Sequence, residues 1–319
     1  MGSSICKLAA LLFLQAAIPN LPQEVSGRIV RPGVRRMDPV TGAWVVLHRV
    51  GSDGAGPLDS LQSDARGRFS FKYQRTGSAD AVYFVSAMYD GIAYFTPPLP
   101  EGKVSGENGE ITVFDTTSGH VPITLQGHHV VVSAVDANSL RTVVEVYDLS
   151  NDSSVTRVAA GDKPEQATFQ TRLTPGATDF RVTEGDVSAG AVTQANGVVS
   201  VFAPIAPGVK QLSFTYTLPA KAFPLKLPLE KETGVYEILV EEKAGNVTGP
   251  HIKEVDPVTV DERDFRRFLA TEMPEKSVAV IDLPAPPSTR AIDSRFLVAI
   301  TLVLGGSMVV ALAQALRRR

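Results

Sequence analysis

The sequence has almost no cysteine and no strong charge of either sign. Of its 319 residues one is cysteine, Cys6, and 31 lysine and arginine residues nearly balance 34 aspartate and glutamate residues. A single cysteine excludes an internal disulfide framework and a cysteine-rich zinc or iron–sulfur site. A nucleic-acid-binding protein should carry a basic face, so the charge balance argues against that class. Hydrophobic residues make up 44% of the chain, which excludes a wholly disordered protein.

The N-terminal residues have the pattern of a secretory signal peptide. Lys7 precedes an apolar run over residues 8–18, which is shorter than the ~20 residues that a membrane-spanning helix needs. A positive start, an apolar middle and small residues after it are typical of a signal that directs a chain out of the cytoplasm. We predict a signal peptide over residues 1–20, with an uncleaved anchor as the alternative.

The C-terminal residues have the pattern of a single transmembrane helix. The run from Phe296 to Leu316 has Gln314 as its one strongly polar residue, and at ~1.5 Å per residue it matches the ~30 Å hydrocarbon core of a bilayer. The run is followed directly by three arginines: Arg317, Arg318 and Arg319. Basic residues that flank a span stay in the cytoplasm. We therefore predict a helix over 295–316 in the lipid bilayer of the cell membrane, a cytoplasmic tail over 317–319, and a periplasmic or extracellular location for the rest.

Between these ends, short apolar runs alternate with glycine, proline, asparagine and aspartate, a pattern typical of β-sandwiches. Phe69, Phe71 and Tyr73 fall on one face of a strand because side chains alternate along it. Asp90-Gly91 and Asn196-Gly197 each separate two apolar runs and predict type I′ hairpin turns. Further predicted strands are Trp44–Val50, Ile111–Asp115, His128–Val135, Arg141–Asp148, Ala167–Leu173, Gln211–Thr217 and Val235–Glu241.

We predict a mainly β fold class with two tandem β-sandwich-like domains and one C-terminal transmembrane helix. The first domain covers residues 25–117 and the second covers residues 118–283. The proline-rich residues 284–294 form a stiff linker to the membrane.

The segment over residues 261–273 fits two kinds of secondary structure. Phe265, Phe268 and Leu269 lie at helical spacing. Phe265, Arg267 and Leu269 also alternate as in a strand. The sequence alone leaves helix and strand open there.

A family resemblance covers the first predicted domain. The resemblance depends on three motifs: an opening Gly-x-Ile strand in Ser26–Val30, a Gly-Ala-x-Val-x-Leu strand in Gly42–Leu47, and an Asp-x-x-Gly-x-Phe turn in Asp64–Phe71. The segments Tyr83–Val85 and Tyr89–Tyr94 follow them and also match. On these motifs, residues 25–117 resemble the carboxypeptidase regulatory-like family, small β-sandwiches of the transthyretin (prealbumin) type that are grouped with carbohydrate-binding-like folds. The resemblance implies a prealbumin-like sandwich without catalytic residues, and the layout of the whole chain looks like that of bacterial envelope proteins.

The family name raises the question of a zinc peptidase, and the available ligands do not support one. His251-Ile-Lys-Glu254 matches the His-x-x-Glu of zinc carboxypeptidases, but no later histidine completes a three-ligand site. The densest histidine group is His120, His128 and His129. Because neighbouring residues of a strand point to opposite faces, we interpret these as loop and strand-edge residues rather than metal ligands. We predict no metal site and no cofactor.

Motifs of the common catalytic sites do not occur in the sequence. The chain has no Gly-x-Ser-x-Gly nucleophile elbow, no phosphate-binding Gly-x-x-x-x-Gly-Lys-Ser/Thr loop and no His-Glu-x-x-His zinc motif. We predict no catalytic residues and a protein that is not an enzyme. An enzyme with an unrecognised site in residues 118–285 stays open, because a triad of residues scattered along a chain leaves no motif.

Aromatic residues are dense in the first predicted domain. Each strand of a sandwich buries alternate residues, so most of these aromatics belong to the core. Tyr94 and Phe95 are adjacent and point to opposite faces, so one of the two is expected to face solvent. We take Trp44, Tyr94 and Phe95 as candidate ligand-binding residues, since flat exposed aromatics are typical of sugar-binding surfaces.

The predicted function is that of a membrane-anchored extracytoplasmic protein that presents β-sandwich domains to a protein partner in the cell envelope, through edge strands or loops. The first alternative is a carbohydrate-binding module for envelope or extracellular glycans, which predicts an exposed aromatic pair on one sheet face. The second alternative is an accessory protein of an unrecognised hydrolase. No nucleic-acid partner is expected.

Overall fold

A computed structural model describes residues 22–284. In this range the chain forms two compact units that divide between Val113 and Phe114. Nearly all of its regular structure is β-strand, which confirms the mainly β fold class. No helix within residues 22–284 is both long and apolar enough to cross a bilayer. The predicted signal peptide, transmembrane helix and tail lie outside the described residues, and so do the predicted anchor residues Phe296, Leu316, Arg317, Arg318 and Arg319.

The first unit contains two β-sheets and a short 3-10 helix over Gly106–Gly109. Its strands are β1 (Pro22–Pro32), β2 (Met37–Pro39), β3 (Trp44–Gly51), β4 (Gly54–Gln62), β5 (Arg68–Gln74), β6 (Val82–Tyr89), β7 (Ile92–Phe95), β8 (Lys103–Val104) and β9 (Ile111–Thr112). One sheet has the order β2-β1-β5, and β8 and β9 also pair with β1, in parallel. The other sheet has the order β4-β3-β6-β7.

Alternate side chains of both sheets form the core of the first unit. Phe69 and Phe71 on β5 and Tyr83 on β6 are buried. Ser70 and Lys72, which alternate with the two phenylalanines on β5, are exposed. The rings of Tyr73 and Tyr83 stack at 5.3 Å between centroids, so side chains of the two sheets pack on each other. Burying one large apolar side chain contributes ~1.5–3 kcal/mol. This arrangement confirms the β-sandwich character and the predicted common face of Phe69, Phe71 and Tyr73.

The Asp64 turn that carries part of the family resemblance is closed by side-chain capping. The Asp64 carboxylate accepts hydrogen bonds from the backbone N–H groups of Arg66 and Arg68, each at 2.8 Å. Gly67 has a φ of 72°, and a Cβ at this position would lie 2.5 Å from the carbonyl oxygen of Ile29. Only glycine fits this turn without moving the backbone of β1.

Both predicted type I′ turns occur. Asp90 and Gly91 have φ values of 48° and 77°, and they join β6 to β7. Asn196 and Gly197 have φ values of 52° and 73°, between the strands Val192–Ala195 and Val198–Val201. A type I′ turn needs positive φ at both central residues, which is why these dipeptides predicted it.

The second unit is built around a seven-stranded sheet. Its strands are β10 (Thr116–Thr117), β11 (Thr124–Val132), β12 (Leu140–Asn151), β13 (Thr156–Arg157), β14 (Phe169–Arg172), β15 (Thr178–Val182), β16 (Val192–Ala195), β17 (Val198–Val201), β18 (Gly208–Pro219), β19 (Leu225–Pro228), β20 (Thr233–Val240), β21 (Asn246–Thr248), β22 (Lys253–Val260), β23 (Arg263–Met273) and β24 (Val278–Asp282). The large sheet has the order β15-β18-β12-β11-β20-β23-β22, and β11 and β20 run parallel. Three smaller sheets are β14-β17-β16, β19-β24-β21 and β10-β13. Short 3-10 helices cover Pro164–Gln166, Ala189–Ala191 and Ala220–Ala222.

Strand β11 is the middle strand of the seven, and it is buried on both faces. Val130 and Val132 belong to the larger apolar cluster on one face. Val131 belongs to a smaller cluster on the other face. The strand begins and ends earlier than the predicted His128–Val135, so His128 and His129 lie inside a central strand. Their interpretation as loop and strand-edge residues is therefore wrong.

The segment that fitted both a helix and a strand is a strand. Asp261 and Glu262, with φ values of 47° and 61°, form the turn between β22 and β23. Phe265 packs in the smaller cluster and Phe268 in the larger one. An odd spacing puts two residues on opposite faces of a strand, and this sheet has an apolar cluster on each face.

Candidate functional site

The outer face of the sheet β4-β3-β6-β7 carries a continuous group of apolar side chains. Trp44 pairs with Met88 across β3 and β6, and Ser86 pairs with Phe95 across β6 and β7. Residues that pair across a sheet share a face, and so do alternate residues along a strand. The ten members on β3, β6 and β7 are called the apolar sheet face: Trp44, Val46, His48, Val50, Val82, Phe84, Ser86, Met88, Ala93 and Phe95.

Two of the three predicted ligand-binding residues lie on the apolar sheet face. Trp44 is 55% exposed and Phe95 is 58% exposed, with Met88 at 51%. Tyr94, the third, is only 8% exposed because its side chain points to the other face of β7, into the core. The expectation that Tyr94 and Phe95 face opposite ways is confirmed, and Tyr94 is corrected from a binding residue to a core residue.

The apolar sheet face contains no aspartate, glutamate, lysine or arginine. Its two polar side chains bond to each other, with His48 Nε2 and Ser86 Oγ 2.8 Å apart. Burial lowers the pKa of His48, which favours its neutral form. The Phe84 ring stacks on His48 at 5.0 Å and meets the edge of Phe95 at 5.8 Å. The face therefore presents aromatic rings that pack on one another, and its two polar side chains are already bonded to each other.

A second candidate site lies in the second unit, where ionisable side chains are buried on β11 and its neighbours. The Glu145 carboxylate accepts hydrogen bonds from His128 Nε2 at 2.8 Å, Tyr147 Oη at 2.5 Å and Tyr216 Oη at 2.6 Å. The His128 ring also stacks on Tyr147 at 4.0 Å between centroids. Burial acts to raise the pKa of Glu145, but the hydrogen bond and electrostatic attraction of His128, together with the two tyrosine hydrogen bonds, hold the pKa below its ordinary value.

His129 points to the opposite face of β11 and joins a separate ionic network. Its Nδ1 donates to Glu237 at 2.7 Å, and its Nε2 donates to Asp148 at 3.2 Å. Arg267 donates to the other oxygen of Glu237. Burial acts to lower the pKa of His129, but the two carboxylates raise it to about 9. An imidazolium that donates from both nitrogens holds β11, β12 and β20 together.

The structure does not bring the three predicted histidines together. His120 is exposed before β11, and His128 and His129 are on opposite faces of that strand. Within the described range, no three histidine, cysteine, aspartate or glutamate residues are placed to hold a metal ion.

Glu145 and its three hydrogen-bond donors, His128, Tyr147 and Tyr216, are called the Glu145 cluster. The sequence motifs did not indicate this cluster, because no catalytic motif spans it. A local signal was nevertheless present in the predicted strand over Arg141–Asp148. Glu145 and Tyr147 alternate with Val144 and Val146 in it, so two hydrogen-bonding side chains share one face of an otherwise apolar strand. Buried polar groups are satisfied by partners, and this pattern indicates where such partners must meet.

No family model and no curated protein matches the chain. Among solved structures, two of leukotriene A4 hydrolase from the yeast Saccharomyces cerevisiae match at 9% identity, with TM-scores of 0.32 and 0.30. Each match covers 52% of this chain and 30% of the hydrolase, so the chain spans about a third of that protein's length. BcpA, the major pilin subunit of Bacillus cereus, matches at 11% identity and a TM-score of 0.21, over 83% of this chain and 86% of the pilin.

At TM-scores of 0.32 or below, these matches do not establish a shared fold. The resemblance to the carboxypeptidase regulatory-like family stays a prediction, since no family model matches the chain. The prediction that the chain is not an enzyme is contradicted by the matches to an enzyme. At these TM-scores the matches assign no activity to this chain.

Proposed function

We propose that the chain is a membrane-anchored extracytoplasmic protein whose first unit binds a protein partner of the cell envelope through the apolar sheet face. The observation that carries this proposal is the exposure of Trp44, Met88 and Phe95 on a face without charged residues. Soluble monomers rarely leave large contiguous apolar patches uncovered. A covering partner removes this surface from water, which contributes about 25 cal/mol for each Å² buried.

The composition of the face favours a protein over a sugar. Tryptophan, methionine and phenylalanine are enriched in the centres of protein interfaces, where charged residues are depleted. A sugar presents hydroxyl groups that need several well-placed polar partners. Ser86 and His48 already bond to each other, and the remaining members of the face are apolar. Trp44 and Phe95 do form an aromatic pair on one sheet face, so glycan binding is kept as the second candidate function.

The proposed location rests on the two ends of the sequence. An apolar run after Lys7 fits a signal for export, and the apolar run before Arg317 fits an anchor with its basic end in the cytoplasm. The likeness of residues 25–117 to the carboxypeptidase regulatory-like family supports an accessory binding role for the first unit. Together these features favour a partner that lies close to the outer surface of the same membrane.

Site-specific photo-crosslinking of the full-length chain in its own cells tests this proposal. The photoreactive residue p-benzoylphenylalanine is placed at position 88, on the face, or at position 34, where Val34 is fully exposed outside the face. We expect one defined crosslinked protein from position 88 and none from position 34. The same crosslink should be lost when Trp44→Thr is added.

Two other results would decide against the protein partner. Equal crosslinking from both positions, or none from position 88, would remove the apolar sheet face as a protein interface. Calorimetric titration of the full-length chain with envelope polysaccharides then tests the second candidate. Heat that saturates and is lost in Trp44→Thr would assign the face to a glycan.

A further inference from the structure

A cavity of about 320 Å³ opens in the second unit, above the Glu145 cluster. Its volume is near the lower end of the ~300–1,000 Å³ typical of sites for small molecules. The buried floor and walls consist of residues from β11, β12, β14, β19 and β20 and their loops, among them Leu125, His128, Glu145, Tyr147, Phe169 and Leu227. All of these residues belong to the second unit, so the cavity is complete within it.

The polar part of the floor is hydrogen-bonded internally, and His128 lines the cavity beside it. The Glu145 carboxylate already has three donors, and Thr171 Oγ1 donates to Tyr147 Oη at 3.3 Å. The His128 side chain stays 10% exposed, and it lines the cavity. His128 Nε2 bonds to Glu145, and no residue in the described range forms a hydrogen bond with its Nδ1. A polar atom at the inner end of a ligand can therefore approach this nitrogen.

The rim of the cavity has an excess of positive charge. It carries Arg172, Lys226 and Lys231 against a single carboxylate, Glu230, which pairs with Arg172 at 2.8 Å. Within the described range neither Lys226 nor Lys231 forms an ion pair with a carboxylate. An anion at the rim would therefore meet two lysines that form no ion pair in the described part of the chain, although the charge of Glu230 acts on Lys231.

Lys231 is held beside the cavity in a position that suits an anion. Its Nζ donates to the carbonyl oxygen of Ile123 at 3.1 Å and lies 5.7 Å from the centre of the Phe169 ring. Lys231 is an exposed residue, but these contacts withdraw its ammonium group from part of its water. That loss and the positive charge of Arg157 lower the pKa of Lys231, and the negative charge of Glu230 offsets them only in part. Arg157 binds the carbonyl oxygens of Val121 and Ala167 and no carboxylate in the described range.

We propose that this cavity binds a small organic carboxylate, with the carboxylate at Lys231, an apolar body against Phe169 and the leucines, and the inner end at His128. Charge-assisted hydrogen bonds from lysine to a carboxylate are among the stronger polar contacts in proteins. The apolar walls add contact area without requiring further polar groups. This site is separate from the apolar sheet face and does not depend on the function proposed for it.

Fluorine NMR on the full-length chain in detergent micelles tests the proposal with two probes of equal size. The first probe is 4-fluorobenzoate and the second is its uncharged amide, 4-fluorobenzamide. Binding is measured as concentration-dependent broadening of the fluorine signal. We expect 4-fluorobenzoate to bind at least tenfold more tightly than the amide, which corresponds to one good charged contact.

Two lysine variants locate the binding. Lys231→Met should weaken 4-fluorobenzoate binding about tenfold, whereas Lys253→Met, on the exposed edge strand β22, should leave it unchanged. Both residues are exposed, so neither substitution should unfold the chain. Equal binding of the two probes, equal loss in both variants, or no broadening of the 4-fluorobenzoate signal would each overturn the proposal. Phe169→Leu removes part of the apolar wall and should weaken the binding of both probes.

Discussion

The two units place polar and apolar side chains in opposite ways. The sheet β4-β3-β6-β7 of the first unit exposes Trp44 and Phe95 on a face without charges. The seven-stranded sheet of the second unit buries His129, Glu145 and Glu237 beside the apolar clusters on its two faces. Both arrangements cost free energy, because water is forced to contact apolar surface in one and charges lose water in the other. The comparison indicates that each sheet carries something beyond what folding alone requires.

The difference also shows in what each arrangement needs from its surroundings. The buried groups of the second unit are satisfied internally, since Glu145 and Glu237 accept hydrogen bonds from five side chains between them. The exposed groups of the first unit have no such partner in the described range. We therefore expect substitutions in the second unit to change stability, and substitutions on the apolar sheet face to change binding.

The largest expected effect is that of removing Glu145. Glu145→Ala leaves His128, Tyr147 and Tyr216 without their common acceptor, and we expect it to destabilise the second unit by about 3–5 kcal/mol. Hydrogen exchange followed by mass spectrometry, on peptides from β11 and β12, measures this loss within the full chain. Glu184→Ala, which removes an exposed glutamate of the same unit, should change the free energy of opening that hydrogen exchange reports by less than about 0.5 kcal/mol. Equal protection in the two variants would show that the cluster does not stabilise the unit.

The next effect is a dependence of stability on pH through His129. A histidine with a folded-state pKa of about 9 and an unfolded value near 6.5 stabilises the fold fully below pH ~6.5 and loses that contribution as the pH rises through about 9. With about 1.4 kcal/mol for each pKa unit, the loss is about 3 kcal/mol. Hydrogen exchange of β11 and β20 at pH 6 and pH 9.5, corrected for the intrinsic exchange rate, measures it.

His129→Gln should remove most of this pH dependence, because the glutamine amide does not titrate. His251→Gln, which changes an exposed histidine, is the matched control and should keep the dependence of the unaltered chain. A slope that survives in His129→Gln would assign the titration to another group. Glu237 acts at the acid end, since His129 and Arg267 outweigh burial and lower its pKa, so its contribution is lost as the pH falls below ~4.5.

Local features of the fold could be predicted from the sequence, and the joining of distant strands could not. The hairpin at Asp90-Gly91 follows from two adjacent residues that accept positive φ. His129 and Glu237, in contrast, are 108 positions apart and meet because β11 and β20 run parallel. The pattern of residues along a strand does not show which distant strand pairs with it. The segment over 261–273 stayed open for the same reason, since only a sheet with apolar clusters on both faces explains Phe265 beside Phe268.

The candidate binding residues show the same limit. Side-chain alternation predicted that Tyr94 and Phe95 face opposite ways, but it could not say which of the two faces the core. That depends on which side of β7 the second sheet covers, and hence on the pairing of β6 with both β3 and β7. For this reason the sequence predicted one exposed aromatic of the pair correctly and named Tyr94 as well.

A smaller effect separates these two neighbours. Tyr94→Thr removes a core aromatic, and we expect it to destabilise the first unit by about 3 kcal/mol. Phe95→Thr removes an exposed ring that meets Phe84 at its edge, and we expect a loss of about 1 kcal/mol. Threonine keeps a high preference for strands in both variants. Trp44 is the single tryptophan of the chain, so its fluorescence during urea unfolding reports this unit alone. Equal losses would contradict the assignment of the two faces.

The smallest expected effect on stability is that of Trp44→Thr, and it is the sharpest test of the comparison. Trp44 is half exposed on a strand that pairs with neighbours on both sides, and threonine keeps the backbone pairing, so we expect a change within about 0.5 kcal/mol. Hydrogen exchange of β3 and β6 measures it, because the variant lacks the fluorescent residue. The same substitution should abolish the crosslink from position 88.

A large loss of stability would mean that the Trp44 ring supports the fold of the first unit. Unchanged stability with an unchanged crosslink would mean that the partner does not contact Trp44. Only unchanged stability with a lost crosslink agrees with an apolar face that is kept exposed for binding.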